Sequence, residues 1–448
     1  MVKRCYGGPA LAASEKTLRA LDRFFQFGRL GSSAKTEVFA GLSTFLALSY
    51  IFVVNPAILS SGGMSKSAIF FATIAGSVLS TLAMGFWANK PFAVAPGLEM
   101  NAYIAYVVIG VLGFSWADAM GAVFWSGILT VTLNYTRVRV RIIDAIPDTL
   151  KSGLAAAVGV FLMLIALKVS GLVHYQGIKL KGIGDLTSKG ALLFYVGLGF
   201  VLFFRSLKIT GAVLLSIIGA AITATLFGLN TSTEPVQLSS DMFAAVFHLN
   251  LGVIANPKIW SIVIILFILD FYGTIAKFIG LTRNTSIVEP DGTLPNLQEA
   301  LTIDGAGTVL GATLGTSNLI TYVESAVGIG EGGRTGLTAV VCGILMSLFL
   351  FLSPLVNLVP VAATTGALFF VGLLLLPTPA EWKTYHWVDA LAVLLMILVT
   401  FWTFGLDKAM FVGFAAVLIG LLITKRARPD AYLIVSTLVL LVSIILSR

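Results

Sequence analysis

Residues 315–334 read GTSNLITYVESAVGIGEGGR, a small and polar run set between two long apolar blocks. The run carries Glu324, and a carboxylate at membrane depth is costly unless it faces a polar cavity or a partner. The polar residues at 316–318 favour a helix N-cap, so the pattern predicts extended backbone ending there and a half-helix from near Leu319 through Glu324. Such a broken helix, with its positive end at the bilayer midplane, is typical of substrate sites in secondary transporters.

The composition restricts the class of protein. The chain has 448 residues, of which 57% are hydrophobic and 11% are charged. Together with a mean hydropathy of +0.96, this excludes a soluble globular protein and predicts a polytopic membrane protein in a lipid bilayer. The net charge of +8 comes from basic residues in short loops that form no continuous patch, so we expect no nucleic acid partner.

The sequence offers no signal for a metal, a cofactor or a disulfide framework. Cys5 and Cys342 are the only cysteines, and no metal-binding spacing joins His174, His248 and His386. Residues 1–36 are basic and lack an apolar core, so they are interpreted as a cytoplasmic N-terminal tail and not as a signal peptide. We therefore expect no metal and no cofactor.

Apolar blocks of about 20 residues, long enough to span a bilayer, occur along the whole chain. The clear ones are 37–60, 66–89, 116–136, 148–173, 187–206, 208–228 and 258–281. Shorter or interrupted ones are 92–113, 297–316, 318–332, 334–355, 360–376, 385–404, 407–425 and 430–447. With the N-terminus in the cytoplasm, most basic loops fall on the cytoplasmic side, as the positive-inside rule expects.

A second interrupted segment lies in the first half, where residues 91–103 read PFAVAPGLEMNAY. Pro96 and Gly97 stop regular helix, so the residues before them should be extended and a half-helix should restart after Gly97. One interrupted segment in each half, each with a carboxylate, is what an inverted repeat produces. The third and tenth segments should then meet at the midplane.

The sequence resembles the nucleobase-cation symporters, specifically their azaguanine-permease-like branch of purine permeases. The resemblance rests on the pieces EVFAGLSTF (37–45), VNP (54–56), APG (95–97), NAY (101–103) and AIP (145–147). The most specific pieces are LGTS (314–317), TYVES (321–325) and GGRTGLT (332–338). The similarity extends over most of the chain from about residue 24.

The resemblance implies an all-α polytopic membrane protein with fourteen helices in a seven-plus-seven inverted repeat and extended segments in helices 3 and 10. The core domain would comprise 37–136 (helices 1–4) and 257–356 (helices 8–11), and the gate domain 137–256 (helices 5–7) and 357–448 (helices 12–14). Four apolar blocks follow residue 356, where the repeat needs three.

The same resemblance implies proton-coupled uptake of adenine, guanine or hypoxanthine by a homodimer in the bacterial inner membrane. Glu324 matches the acid of the tenth helix that binds the base, and Asn101 matches the polar residue of the third. The chain departs from the family where relatives commonly have Asp-Phe-Phe-Asp-Thr-x-Gly-Thr. The second Asp is Gly273 here, the last Thr is Lys277, and a usual Gly of the third helix is Glu99.

Each candidate residue also has a structural interpretation. Glu324 could bind ligand or attach the half-helix to its surroundings, and Asn101 could contact ligand or cap its helix. Glu99 could replace the lost acid or form an ion pair with Lys277. The substrate-binding candidates are Glu324, Asn101, Glu99, Phe271, Tyr272, Gly273, Thr274, Thr321, Tyr322 and Ser325, and the proton-coupling candidates are Asp270, Glu324 and Glu99.

Phe271 and Tyr272 could stack on a flat base or pack against other helices. Asp270 could carry the coupled proton or cap a helix in the core.

The sequence supports a transporter and not an enzyme, with three alternatives left open. A carrier of anions or other small planar solutes could use the same fold, and Lys277 would suit a negative ligand. A nontransporting sensor is a second alternative, because the eighth helix is altered. An intramembrane hydrolase with Asp270 and Glu324 as a carboxylate pair is a third.

Overall fold

The computed structural model describes residues 18–135, 148–176, 179–209, 211–229, 240–282, 285–289, 294–352, 359–404, 406–424 and 430–446. The predicted domain boundaries at 136–137 and 356–357, and most of the predicted tail, lie outside these residues. The described chain is mostly helical, as predicted.

The helices and strands follow in chain order. The first part contains α1 (Ala34–Leu48), α2 (Ile51–Leu59), α3 (Lys66–Phe86), β1 (Val94–Pro96), α4 (Leu98–Ala102) and α5 (Trp116–Tyr135). Next come α6 (Asp148–Val169), β2 (Val173–Gln176), β3 (Lys179–Ile183), α7 (Lys189–Ser206) and α8 (Ala212–Leu226). The third part contains α9 (Pro257–Thr282), α10 (Leu297–Leu314), β4 (Leu319–Thr321), α11 (Ser325–Gly330) and α12 (Gly336–Leu348). The last part contains α13 (Thr365–Leu374), α14 (Pro379–Thr384), α15 (Trp387–Thr403), α16 (Leu406–Thr424) and α17 (Ala431–Leu446).

Several helical stretches are built to cross a bilayer. Among the described residues, six are long and apolar enough: Ala34–Gly62, Lys66–Phe86, Trp116–Tyr135, Thr149–Val169, Lys189–Ser206 and Val361–Thr384. Serine N-caps begin three of them, because the hydroxyls of Ser33, Ser65 and Ser188 accept backbone N–H groups three residues further on. These spans make the chain a polytopic membrane protein.

The long helices pack in two groups. In one group, α10 packs on α5, α12 packs on α1 and α3, and α9 packs on α5. In the other, α15 packs on α6 and α16, and α13 packs on α6 and α7. The groups touch mainly where α9 meets α17 and α6, and where α6 meets α4. The first group uses residues of the predicted core and the second uses residues of the predicted gate, although the division into two domains stays a prediction.

The two interrupted segments meet as a pair of antiparallel strands inside the first group. Val94 lies opposite Thr321, Ala95 opposite Ile320 and Pro96 opposite Leu319. All six residues are buried. Backbone hydrogen bonds continue past both strands, from Gly97 to Asn318 and from Tyr322 to Ala93. Extended backbone at this depth is tolerated because the paired strands satisfy one another and are covered by helices.

Three expectations about the chain were wrong. The extended backbone does not end at 316–318, since β4 occupies Leu319–Thr321 and the half-helix begins at Ser325 with Glu324 as its N-cap. The strand pairing with β1 holds residues 319–321 extended, which local N-cap preferences do not predict. The described chain also contains a β2–β3 hairpin that an all-α reading missed.

The helix count at the end of the chain also differs from the repeat. After residue 359 the described residues form α13, α15, α16 and α17 and the short α14, one long helix more than the three of the expected gate half. The total of fourteen helices therefore stays a prediction.

Candidate functional site

Each strand of the central pair is fastened by a side chain from a neighbouring helix. On β1, the hydroxyl of Thr81 accepts the Val94 N–H at 2.9 Å and donates to the Val94 carbonyl at 3.0 Å. On β4, the carboxylate of Asp304 accepts the Thr321 N–H at 2.9 Å and the Thr274 hydroxyl at 2.6 Å. Asp304 thus connects α9, α10 and β4, and it is fully buried.

The polar run before β4 is a network of buried hydrogen bonds. The amide of Asn55 on α2 donates to the Thr316 hydroxyl at 3.0 Å, and the Ser317 hydroxyl donates to the Asn101 side-chain oxygen. The Asn318 amide and the Thr308 hydroxyl donate to Asp270 at 3.2 and 2.9 Å. Residues 316–318 therefore fix the strand to α2, α4, α9 and α10, and do not cap a helix.

Glu324 stands where β4 passes into α11. It is the N-cap residue of a six-residue helix, with helical φ and ψ of −61° and −17°. Its Oε1 accepts the hydroxyl of Tyr50 at 2.7 Å, while its buried Oε2 has no hydrogen-bond partner in the described part of the chain. One carboxylate oxygen is thus held by Tyr50, and the other is buried without a hydrogen-bond partner in the described residues.

Beside this carboxylate lies a cavity of about 360 Å³. Its walls come from α4, α6, α9 and α11 and from Leu375 next to α13, so it lies between the two packing groups. Glu99, Gly273 and Lys277 line it. Val323 and Ala326, one and two residues from Glu324, line it as well, whereas Glu324 itself does not. The volume falls in the range of about 300–1,000 Å³ that small-molecule pockets occupy.

The cavity wall contains the three positions at which the sequence departs from the family pattern. Lys277 Nζ lies 3.8 Å from Glu99 Oε1, and both side chains are less than a fifth exposed, at 18% and 17%. A side chain at Gly273 would meet no atom within 4 Å, so this position opens into free space. The Glu99–Lys277 ion pair and the vacant position 273 therefore form one continuous surface.

The remaining candidates have other surroundings. Tyr322 donates its hydroxyl to the Pro96 carbonyl at 2.5 Å, and the Ser325 hydroxyl accepts the Ala93 N–H at 3.0 Å. Thr274 and Thr321 are occupied by Asp304, as described above. Phe271 is 1% exposed and packs on Phe267 with ring centroids 5.0 Å apart.

These contacts give several of the predicted site residues a structural role, while their part in binding stays a prediction. Thr274, Thr321, Tyr322, Ser325 and Phe271 hold the site together and do not line the cavity. The side chain of Tyr272 lies outside the described residues. Asn101 is fully buried, and its Nδ2 has no hydrogen-bond partner in the described residues, so it keeps a free donor near the strand pair.

The run GGRTGLT (332–338), which follows α11, has a local structural explanation. The carboxylate of Glu37, in the first turn of α1, accepts the N–H groups of Arg334 and Thr335 at 3.0 and 3.2 Å and the Thr338 hydroxyl at 2.6 Å. The Arg334 guanidinium donates to the Ile329 carbonyl at 2.6 Å, at the end of α11. Glu37 thus supplies acceptors to the N–H groups at the start of α12, and Arg334 supplies a donor to a carbonyl at the end of α11. The turn between the two helices is therefore held at both ends.

Sequence reasoning missed three residues of this site. Asp304 could have been found, because it is an acid inside the predicted span 297–316 and such acids are functional or structural candidates by default. Glu37 could have been found as a carboxylate at the start of the first span. Nothing in the sequence singles out Tyr50, because its contact joins residues 274 positions apart.

Metal chemistry has no support in the described part of the chain, which contains no group of three or more His, Cys, Asp or Glu side chains able to hold an ion.

The helical spans, the paired strands and the cavity define a polytopic membrane transporter fold. The transmembrane domain of the cyanobacterial bicarbonate transporter BicA has the same fold, with a TM-score of 0.63 over 91% of this chain and 97% of that one. The two sequences are 17% identical, so this similarity concerns the fold alone.

The sequence defines the family more closely. Residues 35–405 match the Permease family, and the chain belongs to it. It is 33% identical over 408 residues to adenine permease AdeQ of Escherichia coli strain K12, covering 91% of this chain and 92% of that protein. It is also 33% identical over 443 residues to guanine/hypoxanthine permease GhxP of Escherichia coli O157:H7, covering 96% and 97%.

Proposed function

We propose that this protein is a secondary transporter that takes up a purine nucleobase, namely adenine, guanine or hypoxanthine. The observation that carries the proposal is the carboxylate of Glu324, which has one oxygen bonded to Tyr50 and one without a partner in the described residues and which lies beside a cavity. The chain is also 33% identical to relatives named as adenine and guanine/hypoxanthine permeases. The base would lie in the cavity with one edge toward Glu324.

The chemistry of a purine suits these groups. A neutral purine presents N–H donors and carbonyl or ring-nitrogen acceptors on its edge and two flat apolar faces. Glu324 Oε2 can accept an N–H, and Asn101 Nδ2 can donate to an acceptor of the ligand. Leu154, Val158 and Ile268 on the cavity wall can cover the faces of the ring. A bound base would thus give the two unpaired polar groups their missing partners.

The charges around the cavity favour a neutral ligand over an anion. Lys151 and Lys277 line the cavity, and Glu99 lines it opposite Lys277. Glu324 lies within electrostatic reach of both Lys277 and Glu99. The positive charges are therefore matched by negative ones, and an anion would find no net attraction here. Lys277 is accounted for by its ion pair with Glu99, so it does not require a negative substrate.

Transport would couple to protons through the buried acids and proceed by an elevator movement. Asp270, Glu324 and Glu99 are the candidate proton carriers. The core (37–136 and 257–356) would slide against the gate (137–256 and 357–448), carrying a cavity that lies between the two packing groups. The protein would act as a homodimer in the bacterial inner membrane with its N-terminus in the cytoplasm.

Uptake by purified protein in liposomes tests the proposal. Tritiated hypoxanthine, adenine and guanine should accumulate, and an inward proton gradient should increase the amount. Unlabelled purines should compete, whereas sulfate should not. Binding without counterflow would instead indicate a sensor, and competition by sulfate alone would indicate an anion carrier.

The matched variants are Glu324→Ala and Glu331→Ala. Glu331 is an exposed glutamate at the other end of α11, so its loss should leave uptake unchanged. Glu324→Ala should abolish measurable uptake, since a hydrogen bond to a charged group contributes about 1.5–3 kcal/mol, or roughly 10–150-fold in affinity. Normal purine uptake by Glu324→Ala would remove the site assignment.

A further inference from the structure

The first membrane span changes its packing partners at the level of the candidate site, although Ser49 and Tyr50 keep helical φ and ψ of −60° and −18° and of −57° and −25°. Helix α1 ends at Leu48 and α2 begins at Ile51, with Ser49 and Tyr50 between them. Before these two residues α1 packs on α11 and α12, and after them α2 packs on α3 and α4. Tyr50 is 2% exposed. It lies at the point where the first span leaves the helices that follow β4 and reaches α4, the helix that follows β1.

The Tyr50 hydroxyl has a specific partner at this point. It donates to Glu324 Oε1 at 2.7 Å, which is a short hydrogen bond to a carboxylate. Within the described residues Glu324 Oε2 has no partner, so the bond to Tyr50 is the side-chain contact that fixes the direction of this carboxylate.

Glutamate has several rotatable bonds, and a carboxylate free to sample them would lose that freedom on binding each ligand. Fixing it beforehand removes this cost and strengthens binding.

We propose that Tyr50 is a positioning residue for substrate recognition, which holds Glu324 through Oε1 and leaves Oε2 as the oxygen available to a ligand. The inference rests on the proposed function of the cavity. It leaves Oε2 to accept N–H groups of the base, because Oε1 already accepts the Tyr50 hydroxyl.

The test removes only the hydroxyl, in the variant Tyr50→Phe. The matched control is Tyr385→Phe, which removes a hydroxyl bonded to Ser152 at 2.6 Å and does not line the cavity. For purine uptake in liposomes, Tyr50→Phe should raise KM about 10-fold with little change in the maximum rate, as loss of a charged hydrogen bond predicts. Tyr385→Phe should leave KM unchanged.

A double-mutant cycle separates positioning from a purely structural role. The dissociation constant of tritiated hypoxanthine would be measured for wild type, Tyr50→Phe, Glu324→Gln and the double variant. If Tyr50 acts through Glu324, Tyr50→Phe should weaken binding about 10-fold in wild type and less than twofold in the Glu324→Gln background. Equal weakening in both backgrounds would overturn the inference.

The outcomes also distinguish this inference from the proposed function. A wild-type protein that binds no purine contradicts the proposed function. A wild-type protein that binds purine, with a Tyr50→Phe variant that folds and has an unchanged KM, contradicts only the role of Tyr50. A Tyr50→Phe variant that does not fold is replaced by Tyr50→His, whose ring nitrogen can restore a donor and should recover part of the affinity.

Discussion

Each of the two interrupted segments is a short strand followed by a short helix, but their carboxylates have different partners. In the first, α4 starts directly after Gly97, and Glu99 lies inside its first turn with Lys277 3.8 Å away. In the second, three residues separate β4 from α11, and Glu324 at the N-cap is held by a neutral hydroxyl. The first acid has a cationic partner, and the second has one oxygen without a partner in the described residues. The comparison supports our proposal that Glu324 is the ligand-binding acid, whereas Glu99 is part of the cavity wall.

The strands of the two segments are also anchored differently. A neutral threonine, Thr81, bridges both backbone groups of Val94 on β1. A buried carboxylate, Asp304, gathers donors from β4 and α9. Both anchors come from the helix that packs beside the strand, α3 or α10. The second segment therefore depends on a charged anchor and the first on a neutral one.

This difference predicts the largest effect for Asp304→Ala. The substitution leaves the Thr274 hydroxyl and the Thr321 N–H unpaired in a buried environment, and each unpaired group costs about 1–3 kcal/mol. We expect a destabilisation of about 2–6 kcal/mol, measured as a lower unfolding midpoint of the purified protein. The matched change on the first strand, Thr81→Val, keeps the side-chain shape and removes two neutral hydrogen bonds of about 0.5–1.5 kcal/mol each, so it should cost about 1–3 kcal/mol. A larger loss for Thr81→Val would contradict the contrast between the anchors.

An intermediate effect is expected for the Glu99–Lys277 pair. Either Glu99→Gln or Lys277→Gln alone leaves one charge without its partner, so each should lower the unfolding midpoint by more than the double variant does. The measurement is a double-mutant cycle on thermal unfolding. Additive losses would show that the two side chains do not stabilise each other and that the cavity wall has another counter-charge.

The smallest effect is expected at Gly273. Because a side chain there meets no atom within 4 Å, Gly273→Ala should leave the unfolding midpoint unchanged or raise it slightly, as alanine favours a helix by about 0.5–1 kcal/mol. At Gly328 on α11 an added Cβ would meet Thr44 and the backbone of Ala40, so the same substitution should be destabilising. Thermal unfolding of both variants checks this, and a destabilised Gly273→Ala would contradict an open cavity at that wall.

Local patterns in the sequence were sufficient for the apolar spans and for the first interruption. Pro96 and Gly97 act on their own backbone, so extended residues before them and a helix after them follow from local rules. The second interruption was located correctly by its polar composition, but its helix was placed six residues too early, from Leu319 instead of Ser325. Residues 319–321 are extended because they pair with β1, and that pairing is not visible in the local sequence.

The candidate site also has one part that the local sequence predicts and one part that it does not. The intramembrane acids are visible in the sequence because their cost in lipid is independent of the fold. The partner of each acid is set by packing between distant helices, so Tyr50 for Glu324 and the Thr274–Asp304–Thr321 cluster could not be predicted. Thr321 and Ser325 were chosen as ligand contacts for their polarity, yet the strand pair uses both for its own hydrogen bonds.

Binding of tritiated hypoxanthine, adenine and guanine to purified protein tests the central claim most directly. The wild-type protein should bind at least one of the three saturably, and Glu324→Gln, which keeps the size of the side chain but removes the charge, should weaken that binding at least about 10-fold. Equal affinities of wild type and Glu324→Gln for the bound base would contradict the claim that this carboxylate recognises the substrate.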